Sequence, residues 1–226
     1  MGLEPATLAL EALYAAVLFA WVMAVVSVVS KRFYEGLRAR GSSHNVAVYY
    51  TRKLIHAAAG GLVALTVPYL FATPLIPSTA ALVLAVLTYI PHRRGQLMYW
   101  FQTPDNIYEV HFCLAWGVVM TIAWFVFRGN FWYGVIPVSF MAFGDAVTGV
   151  VRNLVYGRRT KSWLGNLAML ALCVPLGWAL GGVPGALAGL VASLVEHFEL
   201  GPIDDNITVP LVALAVLVLL NSVAWV

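Results

Sequence analysis

The sequence predicts an all-α, polytopic integral membrane protein with about eight transmembrane helices. Three observations predict it. Hydrophobic residues make up 62% of the 226 positions, charged residues only 10%, and the mean hydropathy is +0.86; a soluble domain carries about 25% charged residues and roughly 45–50% apolar ones. The apolar residues gather into runs close to the ~20 residues that a membrane-crossing helix needs. The charged residues fall between those runs. A disordered chain, a coiled coil and an ordinary soluble enzyme are thereby excluded.

In chain order the runs are 8–30, 54–72, 74–91, 108–127, 131–151, 163–181, 184–200 and 207–226. The first follows an acidic start (Glu4, Glu11) and lacks a basic n-region and a small-residue cleavage site, so it reads as a retained helix. With the basic loop behind it, it makes residues 1–50 an N-terminal anchor, ahead of a larger transmembrane domain over 51–226. The shortest connections, Ala72-Thr73-Pro74 and Gly181-Gly182-Val183-Pro184, are tight turns. The fifth run carries Gly144 and Asp145 in its second half and is the one open to a break there. Cys113 and Cys173 lie inside apolar runs and offer neither a disulfide framework nor thiol–metal spacing.

Eight alternating runs put 12 of the 13 Lys and Arg residues on one face and leave only Arg128 opposite. The positive-inside rule makes that face cytoplasmic, with both termini outside. Eight of the ten acidic residues and all five histidines map to the same face. A pore or transporter concentrates polar groups near the bilayer midplane, in interrupted helices; here the midplane is nearly empty. Polar chemistry at one surface suits an enzyme that takes an anionic substrate from the cytoplasm and a lipid from the bilayer. Nucleic acid is not an expected partner.

Four segments carry that chemistry. Gly144-Asp145-Ala146-Val147-Thr148-Gly149 puts a costly aspartate inside an apolar run. Asp145, Gly149 and Arg152 share a helix face, since offsets of four and seven return to it, and the glycine admits a close neighbour. A structural Asp145–Arg152 pair is the competing reading. Arg158, Arg159 and Lys161 then lead to Ser162, a candidate N-cap of the next helix; free N–H groups flanked by cations bind phosphate, although the same charges also serve as positive-inside anchors. No Gly-x-x-x-x-Gly-Lys-Ser/Thr string occurs, which argues against a P-loop enzyme.

Glu196, Asp205 and Asn206, near the seventh and eighth runs, offer oxygen ligands for a hard cation such as Mg²⁺. A small-residue stripe, Gly185, Gly189 and Ser193, lets that helix pack closely and aim Glu196 inward; Asp204 and Glu199 read as bystanders, and a solvated turn is the alternative. Arg52, Lys53 and His56 open the second run, with Arg52 and His56 one turn apart, as phosphate ligand and proton-handling group or as a membrane boundary. The aromatic stretch 99–111 reads as interfacial, with Asp105, Asn106, Glu109 and His111 in it as the competing candidates to line a site.

Taken in order, Arg52-Lys53-Leu54-Ile55-His56, then Gly144-Asp145-Ala146 with Lys161-Ser162-Trp163-Leu164-Gly165, then Glu196 with Asp205-Asn206-Ile207-Thr208-Val209-Pro210-Leu211, resemble the membrane lipid kinases that include dolichol kinase, phytol kinase and the CTP-dependent diacylglycerol kinase. The Lys-Ser-Trp-x-Gly form is most similar to the phytol kinase branch, and the likeness covers roughly residues 50–215. It implies a helical membrane enzyme with a divalent metal that phosphorylates a lipid alcohol, often from CTP. By position it implicates Arg52, Lys53, His56, Asp145, Lys161, Ser162, Glu196, Asp205 and Asn206. Asn166 departs from the small residue that often follows that glycine, and 99–111 has no counterpart. The expected reaction is phosphoryl transfer from CTP or another nucleoside triphosphate to phytol, geranylgeraniol or a polyprenol. Asp145, Asp205 and Asn206 would hold Mg²⁺, Lys161 and Arg158 would neutralise charge, and Glu196 or His56 would act as base. The alternatives are a CDP-lipid cytidylyltransferase, a diacylglycerol kinase, and a transporter or scaffold.

Overall fold

Backbone polar groups in a membrane are satisfied only within helices or closed barrels, and the regular structure of the described residues is all helical. The computed structural model describes residues 4–157, 160–198 and 204–223. Among these the helices are α1 (Pro5–Ala39), α2 (His44–Leu70), α3 (Leu75–Arg94), α4 (Tyr108–Val126), α5 (Trp132–Tyr156), α6 (Trp163–Val195) and α7 (Asp205–Val223). Among the described residues there is a single bridge, Thr103–Asn106, and no strand. The first six helices are long and apolar enough to cross a membrane, which is compatible with a multi-pass membrane protein. Leu13, Val17, Phe125, Leu167, Trp178 and Leu219 face outward, as on helices that are apolar all round.

The core lies around α5, the most buried of these helices. Ile136, Val138, Phe140 and Met141 are fully enclosed, with Val119, Met120 and Ala123 of α4 on one side and Val209, Ala213 and Leu217 of α7 on another. Three helices contain a π-helical turn: Val25–Val29 in α1, His56–Gly61 in α2 and Phe140–Gly144 in α5. The fifth run therefore does not break at Gly144–Asp145; the wider turn absorbs the irregularity and the helix continues. In α2 the turn is packed tightly, since a Cβ on Gly60 or Gly61 would enter the ring of Phe112 or Phe143.

α6 is two helices folded against each other. Gly181 is non-helical and Gly182 has φ +60°, a conformation that costs glycine nothing. The arms 163–180 and 183–195 run antiparallel: a Cβ on Gly177 would strike the carbonyl of Gly185, one on Gly185 that of Gly177, and one on Gly189 that of Cys173. Each of the eight expected runs thus has a helical counterpart, but the count of helices long and apolar enough to cross is six. The arm 183–195 rises only about 20 Å, less than a hydrocarbon core of about 30 Å.

The stretch between the first two runs, expected as a loop, is helical to Ala39 and again from His44. The reason is amphipathicity. Tyr34 packs against Ala47 and Val48, its hydroxyl lies 2.8 Å from His44 Nδ1, and Ser43 Oγ caps α2 by accepting from Val46 N–H.

Gly185→Ala should lower stability by about 1–3 kcal/mol through forced separation of the α6 arms. Gly36→Ala, in a helix with open space around it, should be neutral or slightly stabilising. Unfolding in mixed micelles compares the two; equal effects would refute the close-packed hairpin.

Candidate functional site

The expected site residues come from four separate stretches of chain, and the fold brings most of them to one end of the bundle. A polar pocket there is lined by Tyr49, Arg52, Lys53 and His56 of α2, Tyr108 of α4, Asp145 and Arg152 of α5, Thr160, Lys161 and Glu196 flanking α6, and Asp204, Asp205 and Asn206 at the start of α7. The geometry follows from alternation: the start of α2, α4, α6 and α7 and the ends of α5 and α6 share a level.

Arg152 and Glu196 form its base. Both are buried, and Arg152 Nη1 and Nη2 donate to the two carboxylate oxygens of Glu196 at 2.8 Å each, the bidentate geometry that makes Arg–carboxylate pairs strong. Arg152 Nε donates to the Ser162 carbonyl at 3.1 Å and Nη2 to Asn166 Oδ1 at 2.8 Å. Asn166 Nδ2 donates in turn to the Ser193 carbonyl at 2.7 Å and to Glu196 Oε2 at 3.1 Å. Gly165 leaves the space for this guanidinium, since a Cβ there would collide with Arg152.

Asp145 is buried and pairs not with Arg152 but with Lys53, whose Nζ donates to both of its oxygens. Gly149 makes that possible: a Cβ would press on Lys53 Cε and the Tyr49 hydroxyl. Lys161 Nζ bridges the remaining acids, donating to the Glu196 carbonyl at 2.8 Å and to Glu196 Oε1 and Asp205 Oδ2 at 3.0 Å. Burial works against its charge, but Asp205 and Glu196 outweigh it and hold the Lys161 ammonium above its ordinary pKa. Arg52 lies with its guanidinium 4.3 Å from the Tyr108 ring centroid, and its Nη1 is buried without a hydrogen-bond partner.

Asp145, Glu196 and Asp205 each bring a carboxylate oxygen within 4.8 Å of the others. These are donors suited to a hard divalent cation. Asn206 Oδ1 is buried and unpartnered beside them, its amide donating to the Tyr108 carbonyl at 3.3 Å. In this arrangement Lys53, Arg152 and Lys161 compensate the three acids.

Some expected residues stand elsewhere. Gly144 faces Met169 and Cys173 rather than the pocket, so it serves helix packing. Ser162 occupies the N-cap position of α6, but its side chain makes no capping bond and its buried Oγ is unpartnered. Arg158, Arg159 and Glu199 lie outside the described residues. Asp204, read as a bystander, lines the pocket and accepts from His111 Nδ1 at 2.8 Å; burial raises its carboxyl pKa, and the histidine pulls it partly back. Tyr49, Tyr108 and Thr160 carry no charge or motif that would have marked them. Asn166, a departure by motif, completes the Arg152–Glu196 network.

An apolar cavity adjoins this pocket, between α1, α2, α3 and α4. His56 lines both. It is buried and stacked on Phe112 at 4.2 Å, its Nδ1 stands 3.6 Å from Asp145 Oδ2, and neither ring nitrogen has a hydrogen-bond partner. The 99–111 stretch closes the same end of the cavity: Phe101 and Glu109 line it, and Glu109 Oε1 receives His92 Nε2 and Gln102 Nε2 at 2.6 Å each.

Comparison of the chain with protein-family models, with curated proteins and with solved structures gives no match.

Truncating Glu196 to Ala should cost about 3–5 kcal/mol, because it strands a buried guanidinium. Asp205→Ala, whose side chain is a quarter exposed, should cost less than about 1 kcal/mol. Unfolding in mixed micelles reads the difference, and similar losses would contradict the ranking.

Proposed function

We propose that the protein is a membrane lipid kinase that transfers a phosphoryl group from a nucleoside triphosphate, with CTP as donor, to a long-chain isoprenoid alcohol. One observation carries the reading: a charged pocket suited to phosphates meets an apolar cavity suited to a lipid at a single residue, His56. Two substrates of opposite polarity would meet there.

The residues divide the work. Arg52, with its unpartnered Nη1, and Lys53 and Lys161 bind the triphosphate oxygens, with Thr160 as a hydroxyl donor. The lining side chains comprise four cations and four acids, so a bare triphosphate would bring uncompensated charge into a buried site. A nucleotide carrying Mg²⁺ suits it better; Asp145, Asp205 and Asn206 would hold the ion, which neutralises charge on the transferring phosphoryl group. The alcohol oxygen attacks the γ-phosphorus, the bond to the β-phosphate oxygen breaks, and the nucleoside diphosphate leaves. His56 takes the hydroxyl proton: Asp145 faces Nδ1, leaving Nε2 for the acceptor. Glu196 is less suited as base, both oxygens being engaged by Arg152, Lys161 and Asn166.

The sequence likeness to the polyprenol kinase family supports the choice of CTP and of an isoprenoid acceptor. In the membrane we place both termini outside, the two arms of α6 as separate crossings for eight in all, and the polar pocket at the cytoplasmic face, in keeping with the basic residues there.

The test is purified protein in detergent with Mg²⁺, γ-labelled CTP and geranylgeraniol or phytol. Label should enter the organic phase, stop with EDTA, and fall about 10²–10³-fold in Asp145→Asn, the scale of losing one electrostatic stabiliser. His56→Ala should cost a further-separable 10²–10⁴-fold, roughly what general base catalysis contributes. No γ-label in any alcohol, with α-label entering a lipid phosphate instead, would reassign the protein as a cytidylyltransferase.

A further inference from the structure

The apolar cavity has a polar end, a length and a bore, and together these specify its occupant. It runs along α1 from Val26 to Ala15, along α2 from His56 to Phe71 and along α3 from Thr88 to Pro77, an extent of about 16 Å on the eleven-residue spacing of α1 and α3. At one end stand His56 and Glu109, both more than nine-tenths buried, with both ring nitrogens of His56 and Glu109 Oε2 lacking a hydrogen-bond partner. Burying such groups unpaired costs about 1–3 kcal/mol each, so this end calls for a polar head. The rest of the wall is apolar. At the other end Phe71 is buried, and next to it Glu11 Oε1 accepts from the Ala72 N–H at 2.9 Å, tying α1 across the α2–α3 turn. The centre of a water-sized sphere has about 110 Å³ to move in; over that length this is a tube of roughly 3 Å radius, which admits one hydrocarbon chain and not two abreast.

We infer that this cavity is a molecular ruler for a single-chain lipid alcohol of about 12–16 backbone carbons, with its hydroxyl at His56 and its tail stopped at Phe71. The estimate takes covalent bonds of about 1.5 Å, each advancing roughly 1.25 Å along an extended chain. Three or four isoprene units fill it. Polyprenols of many units and two-chain diacylglycerols do not fit. The inference rests on the lipid-kinase reading for the identity of the head as an acceptor hydroxyl, but binding alone decides the ruler.

The experiment measures displacement of a fluorescent C16 alcohol from the full chain in detergent, without nucleotide. The competitors are farnesol, geranylgeraniol, a C55 polyprenol and a dioleoylglycerol. Farnesol and geranylgeraniol should compete at least tenfold better than the other two. Ala81→Phe and Ala59→Phe, which put a ring into the bore from α3 and from α2, should each weaken binding at least tenfold. A variant that does not fold is identified by its elution profile and set aside in favour of the other. Phe71→Ala should narrow the gap between C20 and C55 alcohols to less than threefold. Equal competition by all four lipids, or unchanged affinity in a folded cavity-filling variant, overturns the ruler. Selective binding without phosphorylation keeps the ruler and overturns the kinase.

Discussion

The buried fork between Arg152 and Glu196 is the joint on which the polar end of this molecule depends. It joins the last turns of α5 to the end of the second α6 arm, and Asn166 fastens both to the beginning of the first arm. Three helix termini are thereby fixed to one another by charge-assisted bonds in a low-dielectric setting, where such bonds are strong when complete and costly when incomplete. One side of the pocket is placed from this joint. Lys161 leans on Glu196, Asp205 leans on Lys161, and Asp145 sits two turns up α5 from Arg152.

The remaining charges show a second constraint. Each carboxylate in the pocket is met by a cationic or imidazole partner: Lys53 for Asp145, Lys161 for Asp205, His111 for Asp204. A set of acids brought this close would repel unless neutralised. The lysines therefore have two uses in one place. They keep the free protein folded, and they are the groups that an incoming anion would recruit, exchanging one counter-charge for another rather than creating any.

Much of this was legible in the sequence, for identifiable reasons. Helical spacing put Asp145, Gly149 and Arg152 on one face, and no π-turn falls between them to disturb it: Asp145 and Arg152 line the pocket, and Gly149 leaves the room that Lys53 occupies. The stripe Gly185, Gly189, Ser193 marked a close helix contact, although its partner was the other half of the same folded helix. The pairing itself was not legible. Spacing along one helix suggests Asp145 with Arg152, whereas Lys53 reaches Asp145 from 92 positions away, and nothing local encodes such a contact. Gln102 was hidden for another reason: Trp and Tyr around it satisfy an interfacial reading without any site, and the same reading competed with a site role for Glu109 and His111 in that stretch.

The π-turns have a bearing on descent. A turn of that kind holds one residue more than the α-helical turn it replaces, and two of those described lie at His56–Gly61 and Phe140–Gly144, the first starting three residues after Lys53 and the second ending directly before Asp145. The partners of the Lys53–Asp145 pair are thus set by helices that each carry a surplus residue. Proteins of common ancestry with straight helices at these points would differ from this chain by a single-position gap inside a membrane segment, where alignment by hydropathy tolerates none. Kinship would then be sought in two registers, one for the half of each helix before the extra residue and one for the half after it.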